Sequence, residues 1–352
     1  MDSVTQFVLG AAVGGAMLGP RAGRRALVWG AVWGTLPDLD VFIPHSDPIS
    51  AFTYHRSFTH AVFFLTLAAP VVAAVIERVH PELRRFRPRC LLTVWLCLAT
   101  HPLLDCFTVY GTQALLPFSD YPVAWSTIFI IDPLYTIPLG AGVFLAWRRF
   151  PRRTLQASRA CLMALALSSA YLLATVGIKA HVDAVTRAAL SAQGIAAEQF
   201  LSTPAPFNTV LWRIVVMTPA GYLEGFYSLF DASDSIEFTA YDSDPSLLAP
   251  IADHWAVERL TWFTKGFYRV REAPGGITLT DLRMGVEPLY IFSFRVGERN
   301  DGHIVPALTQ RVPSSAVPPG MLTWMWRRIW HGPANASFAL PSKPREKGRP
   351  ES

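Results

Sequence analysis

The sequence predicts a multi-pass α-helical membrane bundle of about five to six spans, followed by a small antiparallel β-rich domain outside the membrane. Apolar residues make up 51% of the 352 residues and charged residues only 16%, and the mean hydropathy is +0.29. Long uncharged runs fill the first half of the chain, and short aromatic and β-branched runs follow. A soluble protein of this length needs more polar surface, and the same composition excludes general disorder.

Six apolar runs before residue 180 are the predicted spans. Residues 57–76 contain no formal charge over 20 positions, and about 20 apolar residues are enough to cross the hydrocarbon layer. Residues 4–19 form a shorter run rich in Gly and Ala, which is a poor signal peptide because its start carries Asp2 and no basic residue. The other runs are 26–43, 90–107, 129–147 and 160–178.

Arginines in the connections predict the orientation of these spans. The first, third and fifth connections are rich in arginine, whereas the second and fourth, about 44–56 and 108–128, contain only Arg56. Basic connections stay in the cytoplasm, so the N-terminus and the chain after the sixth span are expected outside. The net charge of +5 is then a topology signal and not a sign of nucleic-acid binding, although the same arginines would also suit anionic lipid headgroups.

The character of the chain changes near residue 180. Short runs of aromatic and β-branched residues, separated by Gly/Pro turns, predict the antiparallel sheet, and Ala273-Pro-Gly-Gly indicates a hairpin. By the predicted topology this region lies in the periplasm of a Gram-negative cell. The predicted parts are a membrane domain (1–180), an amphipathic linker helix (181–200), a β-rich domain (201–312), an aromatic and basic helix and loop (313–340) and a disordered tail (341–352). The helix within 313–340 either packs on the sheet or lies along the membrane surface.

Ionisable residues gather at the outer ends of the predicted spans. Such residues are costly in a membrane and require a functional or structural reason. By the topology above, three motifs that contain them converge at one depth, which predicts a shared polar site. The motifs are Pro37-Asp38-Leu39-Asp40, His55-Arg56-Ser57-Phe58-Thr59-His60 and His101-Pro102-Leu103-Leu104-Asp105.

Two of the motifs have a spacing that predicts their local geometry. His101 and Asp105 are four residues apart, so they share one face of a helix. Asp38 and Asp40 follow a proline, where a helix tends to end, and residues two apart in an extended segment point the same way. Each motif can therefore present its two side chains to one site.

The middle motif contributes two imidazoles and a guanidinium. His55 and His60 would diverge by about 140° on a straight helix, so His55 is expected in the segment that leads into the span. The planar fork of Arg56 suits a phosphate group. Asp132 lies at the same predicted depth, but Asp132-Pro133 is typical of a helix start, with Asp as N-cap and Pro at the first position.

Mixed His and Asp ligands favour a divalent transition metal (Zn, Mn or Fe), and the set is large enough for one or two ions. Such a metal lowers the pKa of water and neutralises charge on a phosphoryl or acyl oxygen. Asp105 is open to three roles: a ligand, a residue that orients His101, or the general base. The predicted metal ligands are Asp38, Asp40, His55, His60, His101 and Asp105, and the predicted catalytic residues are Arg56 and Asp105.

These motifs resemble the YdjM/YbcI-type membrane-bound metal-dependent hydrolases, the LexA-regulated inner-membrane family. Segments 116–118 and 131–135 also resemble the family pattern, and the resemblance covers about residues 1–175. It implies an inner-membrane protein that uses a metal in hydrolysis. Ala61 departs from the pattern, which has a small polar residue after the second histidine, but no strong ligand is lost. The region after residue 200 looks like an extension of longer members, and no function is carried onto it.

The sequence thus predicts a metal-dependent hydrolase at the outer-leaflet face of the inner membrane. A phosphoester lipid or a lipid-linked envelope intermediate is the expected substrate, because its head is polar and its tail stays in lipid. No nucleic-acid partner is expected, and the sequence leaves the oligomeric state unknown. Two alternatives stay open. An ion- or proton-coupled transporter would use the cluster as a relay, and a non-catalytic envelope scaffold would keep it for structure alone.

Overall fold

The computed structural model describes residues 1–150, 154–314 and 317–332. Within these ranges the chain is helical up to Ala192 and forms antiparallel strands from Gln199 onward, which confirms the predicted succession of a helical part and an antiparallel β part. We call these two parts the helical region and the sheet region. The predicted tail, 341–352, and the end of the predicted segment 313–340 lie outside the described residues.

The helical region is built from helices joined by short 3₁₀ turns. Its first two long helices approach closely because glycines face each other, and a Cβ atom at Gly30 would lie 2.2 Å from the carbonyl oxygen of Gly10. The helices are α1 (Ser3–Met17), α2 (Gly19–Ala22), α3 (Arg24–Thr35), α4 (Pro48–Tyr54), α5 (Val62–Val79), α6 (Arg87–Cys106), α7 (Pro133–Arg149) and α8 (Thr154–Ala192). The 3₁₀ helices are Leu36–Phe42, Phe58–His60 and Pro81–Phe86.

Two of the described helices, α5 and α8, are long and apolar enough to cross a membrane. Only 28% and 22% of their most apolar windows are buried, so most of these side chains face outward, unlike those of a core helix in a soluble protein. The count of five to six spans is not supported. The apolar run 26–43 is divided because a 3₁₀ turn with Pro37 ends α3 at Thr35, and α1 has only 15 residues.

Helix α8 continues from the membrane-type sequence into the sheet region without a break. Its 39 residues give a length of about 58 Å, which exceeds the roughly 30 Å of the hydrocarbon layer. The prediction of a separate linker helix over 181–200 is therefore wrong: residues 181–192 are the end of α8, and they pack on the first sheet through Val182 and Val185. The chain turns at Gly194, whose φ of +63° favours glycine.

The sheet region contains two four-stranded antiparallel sheets, in the orders β1-β2-β3-β4 and β10-β9-β6-β5. The predicted hairpin is confirmed, since Ala273 pairs with Gly276 where β5 turns into β6. The strands are β1 (Gln199–Pro204), β2 (Leu211–Thr218), β3 (Gly221–Ser228), β4 (Phe238–Asp242), β5 (Tyr268–Ala273), β6 (Gly276–Asp281), β7 (Gly285–Val286), β8 (Leu289–Tyr290), β9 (Ser293–Asn300) and β10 (His303–Arg311). The helices are α9 (Trp255–Thr264) and α10 (Met321–Trp330), and the 3₁₀ helix is Pro245–Ile251.

The sheet region covers one end of the helical region. Phe52 of α4 and Tyr110 share a buried cluster with Phe263 of α9, and the Nε of Arg259 donates a hydrogen bond to the hydroxyl of Thr53 at 3.0 Å. Helix α4 lies between two of the three polar motifs, so this contact brings the sheet region to the same end as the motifs.

The opposite end of the helices is basic. The Nη1 of Arg25 lies 2.7 Å from a carboxylate oxygen of Glu82, which joins the first and third connections. The Nε of Arg24 donates to the carbonyl of Trp147 at 2.8 Å, at the end of α7. The helical region thus has an arginine-rich end and an end with Asp and His side chains, as the alternation of charge along the sequence requires.

Candidate metal centre

Four side chains of the metal-ligating type meet where α3 ends, α5 begins and α6 ends. Asp38 lies on the 3₁₀ turn after α3, His60 on the turn before α5, and His101 and Asp105 on the last turns of α6. One ligand atom from each residue lies within 4.8 Å of the ligand atoms of the others. The three residues other than Asp38 have no exposed side-chain surface, and the side chain of Asp38 is 15% exposed. All three motifs therefore contribute to one buried cluster, in which Asp38 alone of the four residues keeps exposed side-chain surface.

Five of the six distances between these atoms are close to those of a tetrahedral site, and the sixth, between Asp38 and Asp105, is at most 4.8 Å. The two Nε2 atoms of His60 and His101 are 3.1 Å apart. Asp38 Oδ1 lies 3.5 and 3.3 Å from them, and Asp105 Oδ2 lies 3.4 Å from each. Four ligands placed about 2.0–2.1 Å from a zinc ion would be about 3.3–3.4 Å apart, because a tetrahedron's edge is about 1.6 times its centre-to-corner distance. The residues present therefore fit a metal of this size.

The hydrogen bonds around the cluster point to a cation. The Nδ1 of His101 lies 2.6 Å from the carbonyl oxygen of Gly34. This ring nitrogen must therefore donate its proton, and in the neutral ring Nε2 presents its lone pair to the cluster. Asp38 Oδ2 and Asp105 Oδ2 are buried without a hydrogen-bond partner among the described residues. Buried carboxylates are unfavourable unless positive charge compensates them. Arg56 and the amino group of Met1 supply part of this charge at Asp105, and a cation between Asp38 and the two histidines would supply the rest.

Asp40 and His55, also predicted as ligands, form a separate pair next to the cluster. The Nδ1 of His55 lies 3.0 Å from Asp40 Oδ1. Asp40 Oδ2 accepts from the backbone N–H of Arg56 at 3.0 Å and from the hydroxyl of Thr59 at 3.1 Å, and this hydroxyl lies 3.0 Å from His60 Nδ1. Asp40 is thus linked to His60 through the hydroxyl of Thr59, and it forms a direct hydrogen bond with His55.

The expectation that Asp38 and Asp40 point the same way is wrong. It assumed an extended segment, whereas both residues lie on the 3₁₀ helix Leu36–Phe42. With about three residues per turn, side chains two positions apart diverge by about 120°. Asp38 therefore faces the two histidines of the cluster, and Asp40 faces the middle motif.

Arg56 is buried against the cluster. Its Nε lies 3.6 Å from Asp105 Oδ2, and its Nη1 donates to the hydroxyl of Thr108 at 3.1 Å. The guanidinium also lies over the ring of Tyr110, 5.0 Å from the ring centroid. The side chain is only 3% exposed, so this geometry favours positioning of Asp105 over the predicted contact with a substrate anion.

Three further groups around Asp105 and His101 were not predicted from the sequence. The amide nitrogen of Gln6 donates to Asp105 Oδ1 at 3.1 Å and to the carbonyl of His101 at 3.2 Å. The amino group of Met1 contacts Asp105, and the carbonyl of Gly34 fixes His101. A glutamine inside the apolar run 4–19 was a signal that could have been used. A backbone carbonyl gives no signal in the sequence.

Outward-facing apolar helices with a buried Asp and His cluster at one end define a membrane protein with a candidate metal centre. The chain belongs to the YdjM inner membrane protein family, whose model matches residues 1–182 and includes all three motifs. The resemblance found from the motifs is thereby confirmed. The uncharacterized protein YfhP of Bacillus subtilis (strain 168) is 32% identical over 146 residues, or 39% of this chain and 43% of that protein. No solved structure matches the chain.

Proposed function

We propose that this chain is a metal-dependent hydrolase of the inner membrane, in which Asp38, His60, His101 and Asp105 hold one divalent transition metal. The observation that carries this proposal is the set of five donor separations from 3.1 to 3.5 Å around buried carboxylate oxygens that have no hydrogen-bond partner in the part of the chain that the structure describes. The ligand set suits zinc best, with manganese and iron as alternatives. When bound, such a metal would neutralise charge on a phosphoryl oxygen, and it would lower the pKa of a water only at a fifth coordination position beyond the four residues.

The Asp40–His55 pair supplies the proton transfer in this proposal. Asp40 bonds to Nδ1 of His55 and thereby orients the ring, which leaves Nε2 as the nitrogen available to a substrate. The side chain of His55 is 26% exposed, more than any of the four cluster residues. A carboxylate-oriented imidazole at the accessible edge is suited to protonate a leaving oxygen. Arg56 holds Asp105 in place from the buried side.

A phosphoester lipid or a lipid-linked intermediate is the substrate class we propose. Apolar side chains stand exposed beside the polar motifs, namely Leu39, Phe42 and Phe58. Asp38 and His55, the accessible polar residues, lie next to them in the chain. A polar edge with an apolar rim fits a molecule whose charged head reaches the cluster while its tail stays in contact with apolar surface.

We further propose a multi-pass topology with the cluster and the sheet region on the periplasmic side. The arginines of the first and third connections meet at the end of the helices opposite to the cluster, and basic ends stay in the cytoplasm. Alkaline phosphatase fused after residue 314 should be active, and the same enzyme fused after His80 should be inactive. The reverse pattern would overturn this orientation.

Transport is the less favoured alternative. Directly below the cluster, toward the basic end, α6 contributes Val94, Cys97 and Leu98, which are all buried. These side chains form an apolar layer where a relay would need ionisable groups or water. The geometry of the described residues therefore supports a site that opens on one side only.

The proposal is tested by metal analysis of the purified protein together with an assay on phosphoester lipids. The wild-type protein should contain about one transition metal per chain, as expected for one group of four ligand residues, and should lose both metal and turnover with a chelator. His60→Ala should lose both while keeping the elution profile of the wild type, and His45→Ala, an exposed histidine outside the cluster, should lose neither. A metal-free protein that is indifferent to chelator would refute the metal site. Bound metal without hydrolysis of any phosphoester lipid would refute the activity alone.

A further inference from the structure

Helix α10 has two faces, and its inner face fixes it to the sheet region. Met325 and Ile329 are buried in a cluster with Leu211 at the start of β2. Arg328 is buried as well, and its two Nη atoms lie 2.6 and 2.7 Å from the carboxylate of Asp231. The helix is therefore held in one orientation by packing and by a buried bidentate ion pair.

The opposite face of α10 is apolar and exposed. Leu322, Trp326 and Trp330 are four residues apart and form one stripe along the helix. The side chain of Trp326 is 63% exposed, and Phe230 stacks on Trp330 with ring centroids 5.1 Å apart. We call these four residues the aromatic face. A contiguous exposed apolar patch of this kind marks a surface that meets another apolar phase.

The loop before β2 connects the aromatic face with the helical region. Ala205 lies in the buried cluster beneath α10. Two residues further on, the ring of Phe207 packs on Phe129, just before α7, with centroids 5.8 Å apart. Thr209 then shares a hydrogen bond of 3.0 Å with the hydroxyl of Tyr171 on α8. The aromatic face is thus one loop away from the ends of two apolar helices.

This contact lies at the level where α8 changes from an outward-facing apolar surface to a polar one. Leu173 and Val176 are exposed apolar side chains, and the next charged residue, Lys179, donates to a carbonyl of β1 at 2.8 Å. Asp132, which caps the start of α7, accepts from the hydroxyl of Tyr171 at 2.8 Å. The boundary between the apolar and polar parts of α7 and α8 therefore coincides with the loop below α10.

We propose that the aromatic face inserts into the interfacial layer of the lipid bilayer, so that α10 docks the sheet region on the membrane surface. Tryptophan is the side chain that this layer favours, and the exposed Arg327 next to Trp326 suits the phosphates of the headgroups. Exposed apolar side chains occur on α8, at Phe207 and on α10, and one loop joins these three places, which favours lipid as the common occupant. A docked helix holds the sheet region at a fixed height over the end of the bundle that it covers. This inference does not depend on the metal or on hydrolysis.

The test measures the depth of a spin label on α10 in vesicles of phosphatidylethanolamine and phosphatidylglycerol. The four native cysteines are all buried, so a cysteine introduced at an exposed position can be labelled selectively. Trp326→Cys and Leu322→Cys report on the aromatic face. Asp301→Cys, in the exposed turn between β9 and β10, is the matched control in water. The labels on α10 should be several-fold more accessible to oxygen relative to a water-soluble nickel chelate than the label at position 301.

Two results would overturn the proposal. If the labels on α10 are as accessible to the nickel chelate as the label at 301, the aromatic face lies in water. If they are protected from both reagents, protein covers the face, and dipolar broadening between labels would then identify a second copy of the chain as the cover. Agreement between the two α10 positions, each with the elution profile of the wild type, guards against a local distortion caused by one substitution.

Discussion

The separate geometry of Asp38 and Asp40 predicts that their amide variants lose different amounts of metal affinity. Asp38→Asn removes a charged ligand atom that lies 3.3 Å from His101 Nε2. A four-ligand zinc site contributes roughly 10–16 kcal/mol, so one ligand accounts for roughly 2.5–4 kcal/mol on average. We therefore expect the dissociation constant to rise by roughly 10²- to 10³-fold.

Asp40→Asn should have a smaller effect, because Asp40 acts on His60 through the hydroxyl of Thr59. Loss of a group that orients a ligand typically weakens a metal site by about 10- to 100-fold. Asp120→Asn is the control: it makes the same substitution at an exposed loop residue outside the site, and it should leave the metal affinity unchanged. The measurement is competition with a chromophoric chelator in detergent.

The same difference should appear in thermal stability. At a free metal concentration of 1,000 times the wild-type dissociation constant, binding stabilises the folded state by about 4.1 kcal/mol. A 10²- to 10³-fold weaker site in Asp38→Asn reduces this gain to roughly 0.4–1.4 kcal/mol, which is a visible loss of the metal-induced rise in melting temperature. An effect of Asp40→Asn equal to or larger than that of Asp38→Asn would refute the assignment of Asp38 as ligand and Asp40 as its support.

Three further predictions concern the fold. Glu224→Leu leaves the guanidinium of Arg213, now 2.5 Å from that carboxylate, buried without its partner, and should lower the free energy of unfolding by about 3–5 kcal/mol in denaturant titrations. Gly30→Ala should lower the melting temperature because its Cβ would lie 2.2 Å from a carbonyl oxygen of α1, whereas Gly140→Ala, with no atom within 4 Å, should not. Burial first, and then the charge of a nearby arginine, lowers the pKa of Lys265 from 10.5 to about 8. Because the unfolded chain binds more protons between these values, stability should rise with pH from about 8 to 10.5 in the wild type and should rise less in Lys265→Met when melts are compared across that range.

Local spacing predicted the parts of the site that one helix turn determines. The separation of four residues placed His101 and Asp105 side by side, since α6 continues through both. The pair Asp132-Pro133 was a correct helix start, and the carboxylate accepts from the N–H groups of Leu134 and Tyr135. In both cases the geometry depends only on hydrogen bonds within one helix, so the sequence is sufficient.

The sequence was insufficient where a turn type or a contact between helices determines the geometry. Proline at position 37 correctly ended α3, but the 3₁₀ turn that follows sends Asp38 and Asp40 to different partners. The carbonyl of Gly34 reaches His101 because α3 packs on α6. Neither the turn type nor this packing is encoded in the spacing of polar residues, so six ligands were predicted where the structure brings four together.

The convergence of distant motifs was nevertheless predictable, because the lipid bilayer restricts where ionisable side chains can lie. Charged and imidazole side chains are too costly in the hydrocarbon layer to remain there unpaired, so they collect at helix ends. Helix ends on one side of a membrane occupy a thin slab, and motifs more than 60 residues apart in the chain are therefore restricted to a common depth before any helix packing is known. Positions within that slab still depend on which helices are neighbours, and here α6 is the neighbour of both α3 and α5. A common depth in the membrane thus identifies the candidate residues of such a site, whereas the contacts of α6 decide which of them touch.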